Sequence, residues 1–80
     1  MIRLSAHAIE MLDTRDIEFA WVEATVKRPS ATAVDPRDPT LTRSFRAIPE
    51  ADGRVLRVVH RPAGPDIVII TAHFDRGGGP

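Results

Sequence analysis

Eighty residues without a cysteine make a small chain that hides only about 60% of its unfolded surface on folding, with no disulfide or thiolate metal site to support it. Eleven basic side chains balance eleven acidic ones, which excludes a protein wrapped in positive potential for tracking nucleic acid. No run reaches the roughly 20 apolar residues of a membrane span, and the opening MIRLSAHAIEML lacks a signal peptide's apolar segment and cleavage site, so the expectation is a cytoplasmic protein with no membrane partner.

Taken in chain order, Ser5 is a natural N-cap, and Leu4, Ala8, Met11 and Leu12 recur at helical spacing behind it. This predicts a first helix over about 6–14. Asp16 is expected to cap a second helix, with Glu18 in its first turn, Lys27 and Arg28 complementing the macrodipole at the far end, and Pro29 as the stop. Ile17, Ala20, Trp21 and Ala24 form its apolar stripe, which makes Trp21 a core residue and not a base-stacking platform. SATAVD reads as a short edge strand and PRDP as a turn. Three strands follow at 40–48, 54–60 and 66–74, joined by PEADG and RPAGP. One domain over 1–75 and a disordered tail over 76–80 complete the outline.

Register follows from the turns. A two-residue hairpin at Asp52 and Gly53 pairs Ala51 with Arg54, Ile48 with Arg57 and Arg46 with Val59. Ser44, Arg46, Arg57 and Arg61 then share one face, while Phe45, Ala47, Leu56, Val58 and His60 turn toward the helices. A five-residue second connection places Val68, Ile70, Ala72 and Phe74 in the core and Ile67, Ile69, Thr71 and His73 on the open side. The expected fold is α+β: two N-terminal helices packed on one face of a three- to four-stranded antiparallel sheet.

The segment LSAHAIEMLDTRDI, with ATVKRPS, RVLRVV and VIITAHF after it, resembles the small bacterial family called domain of unknown function forty-two fifty-eight. That family has a His-Ala pair opening helix one, a helix ending at Pro, a Leu-Arg-Val-Val strand and a final Ile-Thr strand; this chain departs from it in carrying Asp16 where a Gly is usual. The resemblance implies an architecture similar to the RelE-like and BrnT-like toxins, which are ribonucleases held by an antitoxin.

Ten of the eleven basic residues are Arg, and residues 41–80 hold six of them against four acids. Metal-independent RNA cleavage needs a base for the ribose 2′-hydroxyl, an acid for the departing oxygen and positive charge for the transition state. On the open face His73 suits the first or second role, Arg46 and Arg57 the third, and Thr71 can orient a phosphate. His7 is either a second acid or base or a structural histidine bonded to backbone. Arg61, Arg43 and Arg15 are the RNA-binding candidates, Arg15 alternatively bonding Asp13 and the carbonyls ending helix one, and the strand arginines alternatively being solvated positions whose stems cover apolar surface. His7, His60 and His73 show no metal-pair spacing, so neither metal nor cofactor is expected. The competing function is a non-catalytic interaction module that docks a partner or a second copy, as a homo-oligomer, through Ile67, Ile69, Val55 and Val59 on the open face.

Overall fold

The computed structural model describes residues 1–76. Strand β1 (Ile2–Leu4) leads into helix α1 (Ala6–Thr14) and helix α2 (Phe19–Lys27); strands β2 (Ala31–Val34), β3 (Thr42–Ile48), β4 (Arg54–Ala63) and β5 (Asp66–Asp75) follow. They form one five-stranded sheet in the order β1-β5-β4-β3-β2. β1 lies parallel to β5 and every other neighbouring pair is antiparallel. The fold is therefore α+β with both helices N-terminal, as expected, but the sheet is mixed and has five strands. Arg76 ends the described chain in a turn, and most of the stretch expected to be a disordered tail, 77–80, lies outside the described residues.

β1 is the unexpected strand. Ser5 ends it and starts the helix in one step: its backbone N–H donates to the Ile69 carbonyl (3.0 Å), its hydroxyl donates to the Ile70 carbonyl (3.2 Å), and the same oxygen accepts from the Ala8 amide (3.0 Å) as the N-cap of α1. A three-residue strand fused to a cap carries too little alternation to separate from the helical stripe that follows.

Asp16 takes a different role from the expected cap of α2. It sits in the left-handed region at φ 52°, the Ile17 amide donates to the Leu12 carbonyl (2.9 Å) and the Asp16 amide to the Asp13 carbonyl (3.4 Å). This is the Schellman ending of a helix, complete with its apolar contact pair, since Leu12 and Ile17 are both buried in one cluster. With Asp16 and Ile17 used to close α1, α2 begins at Phe19, and Glu18 at its N-cap makes no side-chain cap bond. An aspartate tolerates this conformation better than most residues but still carries Cβ strain there. Asp16→Gly is expected to raise unfolding free energy by up to about 1 kcal/mol, seen as a thermal midpoint higher by roughly 4–8 °C.

The β3–β4 register differs from expectation by three residues on β3. Pro49–Ala51 wind one 3₁₀ turn, Asp52 (φ 58°) and Gly53 (φ 73°) reverse the chain in the left-handed region, and the Gly53 amide donates to the Ile48 carbonyl (2.9 Å). Ile48 therefore faces Arg54. An odd shift turns every β3 side chain over. Ser44, Arg46 and Ile48 join the helix side and Arg43, Phe45 and Ala47 the open side; Ile48 and Ala51 gain burial in the core. Pro49 has no N–H for the ladder, so β3 stops there.

β4 and β5 meet through a tight turn at Gly64 and Pro65, with Ala63 opposite Asp66, in place of a five-residue loop. The pairing then slips: Val59 faces Thr71 but His60 faces Ile69, which leaves Ile70 as the extra residue of a β-bulge. Beyond the bulge Ala72 and Phe74 point to the helices and Thr71 and His73 to the open side, as expected. Before it, Ile67 and Ile69 also turn to the helices, and Ile69 is fully buried. Those four apolar residues cannot share a face by strict alternation, and the bulge is what lets them.

The core between helices and sheet is built on Ala8, Leu12, Val22, Leu56, Val58 and Ile69. Trp21 packs against it, its ring 6.3 Å from that of Phe74, while the Arg54 guanidinium covers Phe74 at 4.1 Å. Thr25 is wholly buried because its hydroxyl donates to the Trp21 carbonyl (2.8 Å) one turn back.

Candidate anion-binding cleft

On the side of the sheet away from the helices, the register sets two neighbouring rows: Arg43–Val59–Thr71, and beside it Phe45–Arg57–His73. The rows lie about 7 Å apart along the strands. A cleft of about 460 Å³ opens over them, bounded by these strands and by the loop between β2 and β3.

The loop is shaped by two aspartates that each precede a proline. Asp35 accepts through Oδ1 from the amides of Arg37 (2.8 Å) and Asp38 (3.1 Å), and Asp38 accepts from the Thr40 amide (3.0 Å) and hydroxyl (2.6 Å). These Asx turns hold the backbone without a helix or ladder. Asp35 then spends Oδ2 on the Arg43 Nε–H at 3.1 Å. The Arg37 amide above all, with the Arg43 guanidinium and the Asp38 amide, holds the Asp35 carboxyl below the usual carboxylate range against the opposing effect of burial.

At the other end of the cleft, Arg57 donates to His73 Nε2 from Nε (3.0 Å) and from Nη2. Arginine has no acceptor, so Nε2 is the unprotonated nitrogen and the ring is neutral with its proton on Nδ1. Burial, then the charges of Arg57, Arg15 and Arg43, push the His73 pKa below its ordinary value, with Asp75 opposing them. Arg57 is set apart by this imidazole partner; like most of the described arginines it forms no ion pair with a carboxylate.

The predicted site residues divide clearly. His73, Arg57, Thr71 and Arg43 come together. Arg46 does not: turned to the helix side by the β3 register, its Nη1 donates to the Arg28 carbonyl (2.7 Å) and closes the end of α2. His7 is exposed on α1, across the sheet from the cleft, so it cannot assist there. Arg61 lies on the open face one row further out, opposite Val68, and outside the cleft walls. Arg15 reaches neither a phosphate cradle nor the end of α1; its Nη1 donates to the Ala72 carbonyl of β5 (3.0 Å). His60 sits on the helix side, sharing a hydrogen bond with Ser44 Oγ at 2.8 Å, and burial lowers its pKa. The apolar open-face floor is also different from expectation, because Ile67 and Ile69 face the core and Ile70 takes their place in the cleft. Asp35 is the participant not anticipated, although the Asp-Pro pairs in VDPRDPT announce its turn chemistry.

Two histidines with lowered pKa set a pH dependence. The unfolded chain binds protons near the ordinary 6.5, the folded one only at lower pH, so stability is complete above that value and falls as pH drops through it toward the folded pKa values. Urea midpoints measured between about pH 7.5 and about pH 5 should decline, and the decline should flatten in a His60→Gln, His73→Gln double variant.

No helix among the described residues is long and apolar enough to cross a membrane. One family model matches residues 4–74, and its description is Domain of unknown function (DUF4258). No curated protein and no solved structure matches the chain.

Proposed function

The chain belongs to the DUF4258 family, whose description names no activity, and from the geometry of the cleft we propose that it is a metal-independent ribonuclease of RelE-like type. The supporting observation is the Arg57–His73 pair: a guanidinium with no carboxylate partner among the described residues, bonded to a neutral imidazole, in a cleft that also holds Arg43 and Thr71. The carboxylate lining the cleft, Asp35, is bonded to loop amides and Arg43, so a phosphate entering the cleft is a natural anionic partner for Arg57.

Chemically, the phosphodiester takes the N–H bonds that Arg57 gives His73, and the freed Nε2 accepts the proton of the ribose 2′-hydroxyl. The 2′-oxygen attacks phosphorus and the bond to the 5′-oxygen breaks, with the leaving oxygen protonated by water, giving a 2′,3′-cyclic phosphate and a 5′-hydroxyl. Arg57 and Arg43 stabilise the charge that builds on the phosphoryl oxygens. His73 stays unprotonated at neutral pH because its surroundings disfavour the imidazolium. As a toxin it would act in the cytoplasm and be held by an antitoxin protein.

The test is incubation of the purified protein with RNA in a chelator. The expected result is cleavage to cyclic-phosphate ends, absent with a 2′-deoxy substrate, and growth arrest on induction in cells. Intact RNA over long incubation, or cleavage that persists without the 2′-hydroxyl, overturns it. The docking-module reading keeps Val55 and Val59 on the open side, Val59 only 6% exposed, and loses Ile67 and Ile69 to the helix side.

A further inference from the structure

We propose that the cleft takes one unpaired nucleotide, its phosphate between Arg57 and Arg43, and that Asp35 is the positioning residue that readies Arg43 for it; this rests on the RNA reading above. Three observations combine. The cleft, about 460 Å³, is the size of a small-ligand site, too confined for a rigid duplex, which would meet only its rim because A-form RNA presents a wide, shallow minor groove. Its floor is divided: Ile70 and Leu41 give apolar surface for a base, and the guanidinium groups flank it. The whole chain carries no net charge, so it cannot follow a long stretch of phosphates, and recognition is confined to one or two of them.

Asp35 makes this arrangement work without repelling the ligand. Three hydrogen bonds, two to Oδ1 from loop amides and one to Oδ2 from Arg43 Nε, take up most of the carboxylate's acceptor capacity and offset its charge against an incoming anion. Holding Arg43 at Nε leaves its two terminal nitrogens for the phosphate, in the forked geometry that arginine offers oxyanions. The loop and Arg43 are thereby one unit.

The experiment measures binding of a short 2′-O-methyl RNA, which cannot be cleaved, alone and annealed to its complement. The single strand is expected to bind at least about tenfold more tightly than the duplex, with log K falling against log salt at a slope of about −0.7 to −1.4, one or two phosphates' worth. Arg43→Gln, which removes the cation, should weaken binding about five- to tenfold and reduce that slope by about 0.7. Asp35→Asn should weaken binding about five- to tenfold even though the loss of a negative charge would by itself favour an anion, a sign that only the lost positioning of Arg43 explains. Equal binding of single strand and duplex, or a slope demanding many phosphates, overturns the single-nucleotide site; unchanged or tighter binding in Asp35→Asn overturns its positioning role. Binding of the single strand without cleavage of ordinary RNA would leave this inference standing and remove the nuclease reading, whereas absence of binding to both forms removes both.

Discussion

His73→Ala is expected to lower the rate of RNA cleavage by about 10²–10⁴-fold, the range supplied by one positioned general base, while changing unfolding free energy by only about 1 kcal/mol, the net worth of a typical hydrogen bond. The contrast follows from where the ring lies. It is half-buried on the open face, and its side-chain hydrogen bonds go to Arg57, which supports no helix or ladder. The other histidines serve as controls with different outcomes. His7→Ala should leave the rate unchanged, because that ring is exposed on the far side of the sheet. His60→Ala should cost stability through Ser44, a buried hydroxyl that loses its partner. Arg57→Ala adds a diagnostic of sign: it removes both the transition-state cation and the nearest charge opposing protonation of His73. The residual rate should therefore lose activity at higher pH than the wild-type rate as the solution is acidified. A rate in His73→Ala within a few-fold of wild type would end the case for this cleft as a nuclease site.

How far the site could be read from the chain depended on local signals of very different quality. The start of α1 was legible because a serine cap has a fixed relation to the amides it accepts from, and Ser5 makes that bond. The open-side placement of Arg57, Thr71 and His73 was legible from alternation within β4 and the last half of β5. β3 was not, since its facing depends on how many residues the turn consumes, and a proline-initiated 3₁₀ turn consumes three that a tight hairpin does not. That one difference exchanged Arg46 for Arg43 in the cleft. The first half of β5 was hidden differently: in Ile67-Val68-Ile69-Ile70 every residue is apolar, so the pattern is indifferent to where an extra residue is inserted. The role of Asp35 depended on a contact eight positions along the chain, of which Asp-Pro reveals the turn but not the arginine.

Ile69→Glu is expected to destabilise the protein by about 4 kcal/mol or more, lowering its melting temperature by roughly 20 °C. An 80-residue chain has about 4–12 kcal/mol to lose, so the variant would be unfolded or nearly so. Ile69 is fully buried, facing Ala8 and Leu12 of α1 among the core residues, and its own carbonyl anchors the Ser5 amide. The substitution loses about 1.5–3 kcal/mol of apolar transfer and buries a carboxyl within the apolar cluster, where the nearest cross-strand polar group, His60, is already bonded to Ser44. Val68→Glu, one residue earlier and half-buried on the open side opposite Arg61, should cost no more than about 1 kcal/mol. The ordering of the two variants tests the bulge itself. In an unbulged strand that keeps Ala72 and Phe74 in the core, Val68 would be buried and Ile69 open, and the ranking would reverse. Since the bulge lies between the buried Ile69 and the open-side Thr71 and His73, a reversed ranking would show the strand threading past β4 in a different register, and the pairing of Arg57 with His73 would have to be established afresh.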